Sequence, residues 1–163
     1  MENMAIIGSV VYLLSAASTA ISGYLADRAI VAGHSPTKVR KTCTGIGLTL
    51  ASVILAVVII PGSGASMTVL IIAGIFYGIF ASSHWAITQT LAGSSAAGKW
   101  SGLQNCFANM AGVAAPAITG FVVEITDQFF WAFAVSAGVV LIGASVYAFF
   151  LGPVEQIKWQ IKS

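Results

Sequence analysis

The sequence predicts an all-α integral membrane protein with five transmembrane helices. Hydrophobic residues make up 58% of the 163 residues and charged residues only 7%, whereas a soluble domain carries roughly 25% charged residues to cover its surface. The apolar residues fall into five stretches, each close to the length of about 20 residues that a helix needs to cross the bilayer. All seven Lys and Arg residues lie in connections on one side of the membrane that these stretches define.

The five predicted spans follow from the lengths of the apolar stretches and from the residues that interrupt them. Helices are expected rather than strands, because lipid offers the backbone no hydrogen-bond partners and the stretches are too long for barrel strands. Pro61-Gly62 and Gly152-Pro153 are expected to end the second and fifth spans. The spans are Met4–Ala26, Val39–Ile60, Met67–Leu91, Ser101–Val123 and Phe129–Leu151.

The basic residues predict the orientation. Lys and Arg resist translocation, so the side that keeps them is normally cytoplasmic. We therefore expect a protein of the cell's inner (plasma) membrane whose N-terminus lies outside and whose C-terminus lies in the cytoplasm. The net charge of +2 is explained by this orientation and gives no indication of nucleic-acid binding. The basic residues are Arg28, Lys38, Arg40, Lys41, Lys99, Lys158 and Lys162.

Polar and small side chains form one stripe in the third span and another in the fourth. Asn105 and Asn109 are one helical turn apart, and buried amides in a span are costly unless they form hydrogen bonds. Two interpretations stay open: the asparagines tie helices together, or they line a cavity for a polar solute together with Ser82 and Trp85. The stripes are Gly74, Gly78, Ser82, Trp85 and Gln89 in the third span, and Asn105, Asn109, Gly112 and Pro116 in the fourth.

Two further features bear on packing and chemistry. Gly74-x-x-x-Gly78 and Gly98-x-x-x-Gly102 have the spacing that lets helix backbones approach closely. His84 is the one side chain well inside a span that titrates near neutral pH. It carries a proton or contacts a substrate, or it is neutral and satisfied by a neighbouring helix. The sequence contains no phosphate-binding loop, zinc-ligand spacing or nucleophile–base pair, so we expect no enzyme, no metal and no cofactor.

Several runs of residues resemble a known transporter family. Gly23-Tyr24-Leu25-Ala26-Asp27-Arg28, followed by Arg40-Lys41, resembles the loop signature of the major facilitator superfamily. More specific runs are similar to helices ten to twelve of its bacterial anion:cation symporters. They are His84-Trp85-Ala86-Ile87-Thr88-Gln89-Thr90-Leu91-Ala92-Gly93, Ala97-Gly98-Lys99-Trp100, Gly102-Leu103-Gln104-Asn105, Phe130-Trp131-Ala132-Phe133 and Gly152-Pro153-Val154-Glu155.

This resemblance implies that residues 1–163 correspond to helices eight to twelve, a partial C-terminal six-helix bundle of a twelve-helix transporter. It implies uptake of an organic anion such as a sugar acid, usually with protons, between two halves that rock around a central site. Ser82, Trp85 and Asn105 match substrate-contact positions of the family, with Asn109 and His84 as weaker candidates. The main basic anchor and the proton-carrying acids would belong to a missing N-terminal half, which transport would require.

The loop signature implies a gate. Asp27 at the inner end of the first span is expected to face the start of the fourth span, near Trp100–Leu103, where backbone N–H groups point outward. Arg28, Arg40 and Lys41 would hold the loop, although ordinary anchoring by basic residues explains them equally well. The alternative for the whole chain is a truncated membrane protein that transports nothing and only packs against a separate partner half.

Overall fold

The computed structural model describes residues 2–60 and 62–158, and helices dominate this part of the chain. Four helices are long and apolar enough to cross a membrane, which confirms the all-α membrane class predicted from composition. The elements in order are α1 (Glu2–Val31), α2 (Pro36–Ala51) with its 3-10 continuation (Ser52–Val58), α3 (Ser63–Thr126), and α4 (Phe129–Ser145) with its π-helical continuation (Val146–Phe150).

Helix α3 contains both the third and the fourth predicted spans, which differs from the expected connection over residues 92–100. The backbone is helical on both sides of Gly93, and only Gly93 itself departs from helical geometry, with φ 68° and ψ 173°. Small residues such as Ser94 and Ala96 allow a helix to restart at once. We call residues 63–92 segment α3a and residues 94–126 segment α3b.

The chain turns back at Gly93. Gln104 of α3b contacts His84 of α3a, 20 residues earlier, whereas an unbroken helix would separate them by about 30 Å. The conformation of Gly93 lies in a region that only glycine adopts readily. A Cβ there would also overlap the side-chain amide of Gln156. The backbone conformation therefore requires glycine at this turn, whereas the flexible Gln156 side chain could move aside.

Segment α3a is the centre of the packing. It contacts α1 along one side and α2 along another. A Cβ on Gly78 would lie 2.4 Å from the carbonyl oxygen of Ser15 in α1, and one on Gly47 in α2 would lie 2.6 Å from the backbone nitrogen of Phe80. These glycines let three helix backbones approach closely, which confirms the packing role predicted for the Gly74 and Gly78 pair.

Segment α3b is packed differently. Apart from the adjacent turns of its own helix, no heavy atom of the described chain lies within 4 Å of a Cβ placed on Gly98 or Gly102. The close contact predicted for that pair is therefore not found in this part of the chain. Large apolar side chains along the segment are exposed, among them Phe107 at 63% and Val113 at 78%. Ala111, Ala114 and their neighbours line a groove between this segment and α4, and Gln104 contacts α3a. Most of the other side chains of the segment are exposed.

Candidate functional site

Ser82 lies in the contact between α3a and α1. Its hydroxyl oxygen is 2.9 Å from that of Ser22, and one turn earlier Ser18 donates a hydrogen bond of 2.7 Å to the carbonyl of Ile75. The two helices are thus joined by polar contacts between small side chains, as is common within membranes. Ser82 serves helix packing in this structure, although a hydroxyl with two lone pairs can still accept a further hydrogen bond.

His84 sits where α3a, α3b and α4 meet. Its Nδ1 is within hydrogen-bond reach of the Tyr147 hydroxyl, and its Nε2 contacts the side-chain amide of Gln104. Both ring nitrogens are therefore used inside the protein. Trp85, the next residue, is 38% exposed and its ring lies edge-on to the imidazole, with centroids 5.7 Å apart. Part of the Trp85 side chain therefore remains accessible from outside the described bundle.

Asn105 and Asn109 are exposed on the uncovered side of α3b. The Asn109 amide donates a 2.8 Å hydrogen bond to the backbone carbonyl of Asn105 in its own helix. Ala114 and Ile118 line the groove against α4. They lie on the opposite side of the helix from Asn105 and Asn109. Within the described chain these asparagines do not tie helices together, and their stripe faces away from the bundle.

The candidate residues are thus brought together only in part. No hydrogen bond in the described chain joins Ser82 to Asn105. The link between their two segments is made by Gln104, next to Asn105, and His84, next to Trp85. The sequence patterns gave no role to Gln104 or Tyr147, because the polar stripes were sought within single helices and the contacts of these residues cross between helices.

A cavity of about 560 Å³ opens beside this contact. Its walls are mostly apolar, and His84, Thr88, Gln104 and Tyr147 supply its polar groups. The Gln104 Oε1 atom is buried and without a hydrogen-bond partner in the described chain. The other lining residues are Ile87, Leu91, Trp100, Leu103, Phe107, Val146, Phe150 and Leu151.

The loop signature forms an ion pair at the end of the bundle. The carboxylate of Asp27 accepts a 2.5 Å hydrogen bond from the Arg40 guanidinium, with the Asp27 side chain 68% and the Arg40 side chain 13% exposed. A Cβ placed on Gly23, one turn earlier, would lie 3.6 Å from the Ser82 side chain. Arg28 lies in the last turn of α1, where a cation complements the helix dipole. The expected contact of Asp27 with the start of α3b stays a prediction.

Lys41 has a partner outside the loop. Its ammonium group donates a 2.7 Å hydrogen bond to the carbonyl of Leu151, just after the π-helical turn, where free carbonyls favour a cation. Two more hydrogen bonds hold the tail that follows. The backbone N–H of Val154 donates to the Thr37 hydroxyl at 2.9 Å, and that of Ile157 donates to the carbonyl of Leu91 at 3.0 Å. These contacts gather the first connection, the Gly93 turn and the tail at one end of the bundle.

Comparison with known proteins gives a consistent set of relatives. The chain is 28% identical over 152 residues to the probable L-galactonate transporter of Escherichia coli (strain K12), covering 91% of this chain and 33% of that protein. It is 29% identical over 154 residues to the uncharacterized transporter YybO of Bacillus subtilis (strain 168), covering 92% and 35%. The probable galactarate/D-glucarate transporter GarP of Escherichia coli (strain K12) is 25% identical over 162 residues, covering 95% and 35%.

The chain therefore spans about a third of the length of the curated relatives it matches. The Major Facilitator Superfamily matches over residues 2–163, almost the whole sequence. This match agrees with the apolar helices, the glycine-mediated packing and the loop signature described above. The chain is a multi-pass membrane protein that belongs to the major facilitator superfamily.

Proposed function

We propose that this chain forms the C-terminal part of a secondary transporter that takes up an organic anion, a sugar acid, together with protons. The observation that carries the proposal is the polar stripe of Asn105 and Asn109, which is exposed and lies on the side of α3b opposite the groove against α4. Amides on a membrane helix are costly when they face lipid. A hydrated substrate cavity against a second bundle gives them a suitable environment, and relatives named as sugar-acid transporters supply the class of solute.

In this proposal the side chains of α3 form one wall of the cavity. Asn105 donates hydrogen bonds to hydroxyl groups or to the carboxylate of the sugar acid, and Asn109 is a second donor one turn along. Trp85 packs its exposed ring against the carbon skeleton. Ser82 lies deeper in the α1 contact and offers only an acceptor. Two bundles rocking around this site would expose it alternately to the two sides of the membrane.

Proton coupling requires groups that this wall does not offer. Apart from Arg40 and Lys41 at the inner end of the second span, the five predicted spans contain no Asp, Glu, Lys or Arg. Ionisable groups within the membrane are the usual proton carriers. The proposal therefore assigns the coupling acid and the main basic anchor of the substrate to an N-terminal half. Asp27, paired with Arg40, is the proposed gate at the end of the bundle.

The proposed orientation places the end of the bundle that contains Asp27, Gly93 and the tail in the cytoplasm of the cell, at its inner membrane. Support comes from the hydrogen bonds that bring the basic first connection and the tail to one end of the bundle. Basic connections are retained on the cytoplasmic side. Lys162 lies outside the described residues, and Lys158 closes the described tail.

The test is uptake of radiolabelled L-galactonate, D-glucarate and a hexuronate by cells that express the complete polypeptide carrying this sequence. Uptake of at least one of them is expected, and Asn105→Ala should lower uptake at least roughly tenfold, the usual effect of losing a hydrogen bond to a charged group. Ser136→Ala is the matched control, because Ser136 bonds only to the carbonyl of Ala132 in its own helix.

Normal uptake with Asn105→Ala would contradict the site. Stable membrane insertion without uptake or binding of any sugar acid would contradict transport, and would favour the alternative of a protein that only packs against a partner half.

A further inference from the structure

One polar cluster joins three helices beside the proposed site. His84 of α3a contacts Gln104 of α3b through Nε2 and Tyr147 of α4 through Nδ1. These residues are 20 and 63 positions from His84 in the sequence. We call these three residues the His84 cluster. Both partners are side chains, so the cluster joins the helices through specific hydrogen bonds at two positions rather than through apolar packing along their length.

The ring of His84 is also fixed by aromatic neighbours. The Phe80 ring lies 4.9 Å from the imidazole, centroid to centroid, and the Tyr147 ring meets Phe80 edge-on at 5.9 Å. An imidazole held by a ring on one face and by hydrogen bonds at both nitrogens keeps one orientation. The cluster is therefore a rigid connection between the helices and leaves His84 no free nitrogen for a solute.

Tyr147 reaches the cluster from an irregular turn. It lies in the π-helical continuation of α4, Val146–Phe150. Single π-helical turns are rare and change the direction of the side chains they carry. Regular α-helical packing of α4 would not require this distortion. Because the π-helical turn carries the Tyr147 hydroxyl that bonds to His84, the distortion indicates that the position of this hydroxyl is important for the contact.

The cluster is adjacent in sequence to the proposed substrate contacts. Trp85 follows His84, and Asn105 follows Gln104. Each helix moves as a rigid unit. The His84–Gln104 contact therefore sets the position of Trp85 relative to Asn105. We infer that His84, Gln104 and Tyr147 are positioning residues that hold Trp85 and Asn105 at the spacing a bound sugar acid requires. This inference rests on the proposed transport function.

The experiment compares Gln104→Leu and Tyr147→Phe in the complete polypeptide with a matched control. Tyr147→Phe removes one hydroxyl and keeps the ring that packs on Phe80. Thr88→Val is the control, because Thr88 lines the same cavity but bonds only to the His84 carbonyl of its own helix. Initial uptake rates over a range of sugar-acid concentrations give KM and the maximal rate per transporter in the membrane.

Both cluster variants should raise KM roughly tenfold, the effect of losing well-placed substrate contacts, while the maximal rate changes less than about twofold. Thr88→Val should change neither. A cluster that merely stabilises the fold would lower the amount of transporter and leave KM unchanged, and that result would overturn the inference.

Failure of the proposed function would look different. The unsubstituted polypeptide would then take up no sugar acid at all, whatever the variants do. Normal uptake by the unsubstituted protein, with the KM of Gln104→Leu and Tyr147→Phe equal to that of Thr88→Val, overturns the positioning role alone and leaves the transport proposal standing.

Discussion

Segments α3a and α3b have similar compositions but opposite surroundings. Both carry glycines at four-residue spacing and polar side chains one turn apart. In α3a, Gly74, Gly78 and Ser82 face α1: a Cβ placed on Gly78 would lie 2.4 Å from the backbone of α1, and Ser82 bonds to Ser22. In α3b, apart from the adjacent turns of its own helix, no atom of the described chain lies within 4 Å of a Cβ on Gly102 or Gly112, and Asn105 and Asn109 are exposed.

This difference shows that small-residue spacing gives a helix the capacity for close packing but does not say what fills the space. In α3a the partner is another helix of this chain. In α3b the polar stripe points away from the chain, and its environment is the proposed cavity. Substitutions matched between the two segments can separate these roles.

The largest expected effect is on stability at the α1 contact. Gly78→Ala should lower the free energy of unfolding by about 3 kcal/mol, because the methyl group would overlap the Ser15 carbonyl and force the backbones apart. Gly112→Ala, the same change in α3b, should alter it by less than about 1 kcal/mol, in the stabilising direction, because alanine favours helix. Unfolding titrations in mixed micelles measure both, and equal effects would contradict the contrast between the segments.

The turn between the segments should be the next most sensitive position. Gly93→Ala should cost about 2 kcal/mol for its backbone conformation, with little further loss, because the flexible end of the Gln156 side chain can move aside. Adding Gln156→Ala should therefore recover little of the loss. The same titrations measure the single and double variants. Full recovery in the double variant would show that backbone conformation is not limiting at this turn.

A smaller effect is expected from the hydrogen bond between α1 and α3a. Ser82→Ala should lower the free energy of unfolding by about 0.6 kcal/mol, the average for hydrogen bonds between membrane helices. Asn109→Ala should have no measurable effect on it, since its amide bonds only within its own helix. Thermal unfolding of the purified variants ranks them. A larger loss for Asn109→Ala would place this side chain in a helix contact rather than at a cavity.

The smallest effect on stability is expected at the exposed ion pair. Asp27→Asn should change the free energy of unfolding by less than about 1 kcal/mol, as is usual for surface pairs, because most of the Asp27 side chain is exposed. Uptake should nevertheless fall if Asp27 gates the transporter. Paired stability and uptake measurements separate the two roles, and unchanged uptake would leave Asp27 and Arg40 as ordinary loop contacts.

The sequence predicted the class of fold and part of the site. Hydropathy depends directly on contact with lipid, so the membrane class could be derived from it. The spacing of Gly74 and Gly78 depends directly on close helix packing, so the α3a contact could be derived as well. The turn at Gly93 could not be placed, because Ser94 and Ala96 read equally well as a connection or as a helix. The His84 cluster was missed because it depends on contacts between residues up to 63 positions apart.

The measurement that tests the central claim most directly is thiol labelling of Asn105→Cys in the complete polypeptide. Cys43 and Cys106 would first be replaced by alanine, since both are free and Cys106 is exposed. A water-soluble maleimide should label position 105, a sugar acid should protect it, and Ala132→Cys at the buried α4 contact should stay unlabelled. Labelling that a transported sugar acid does not reduce, or no labelling at position 105, would contradict a substrate cavity on this face of α3b.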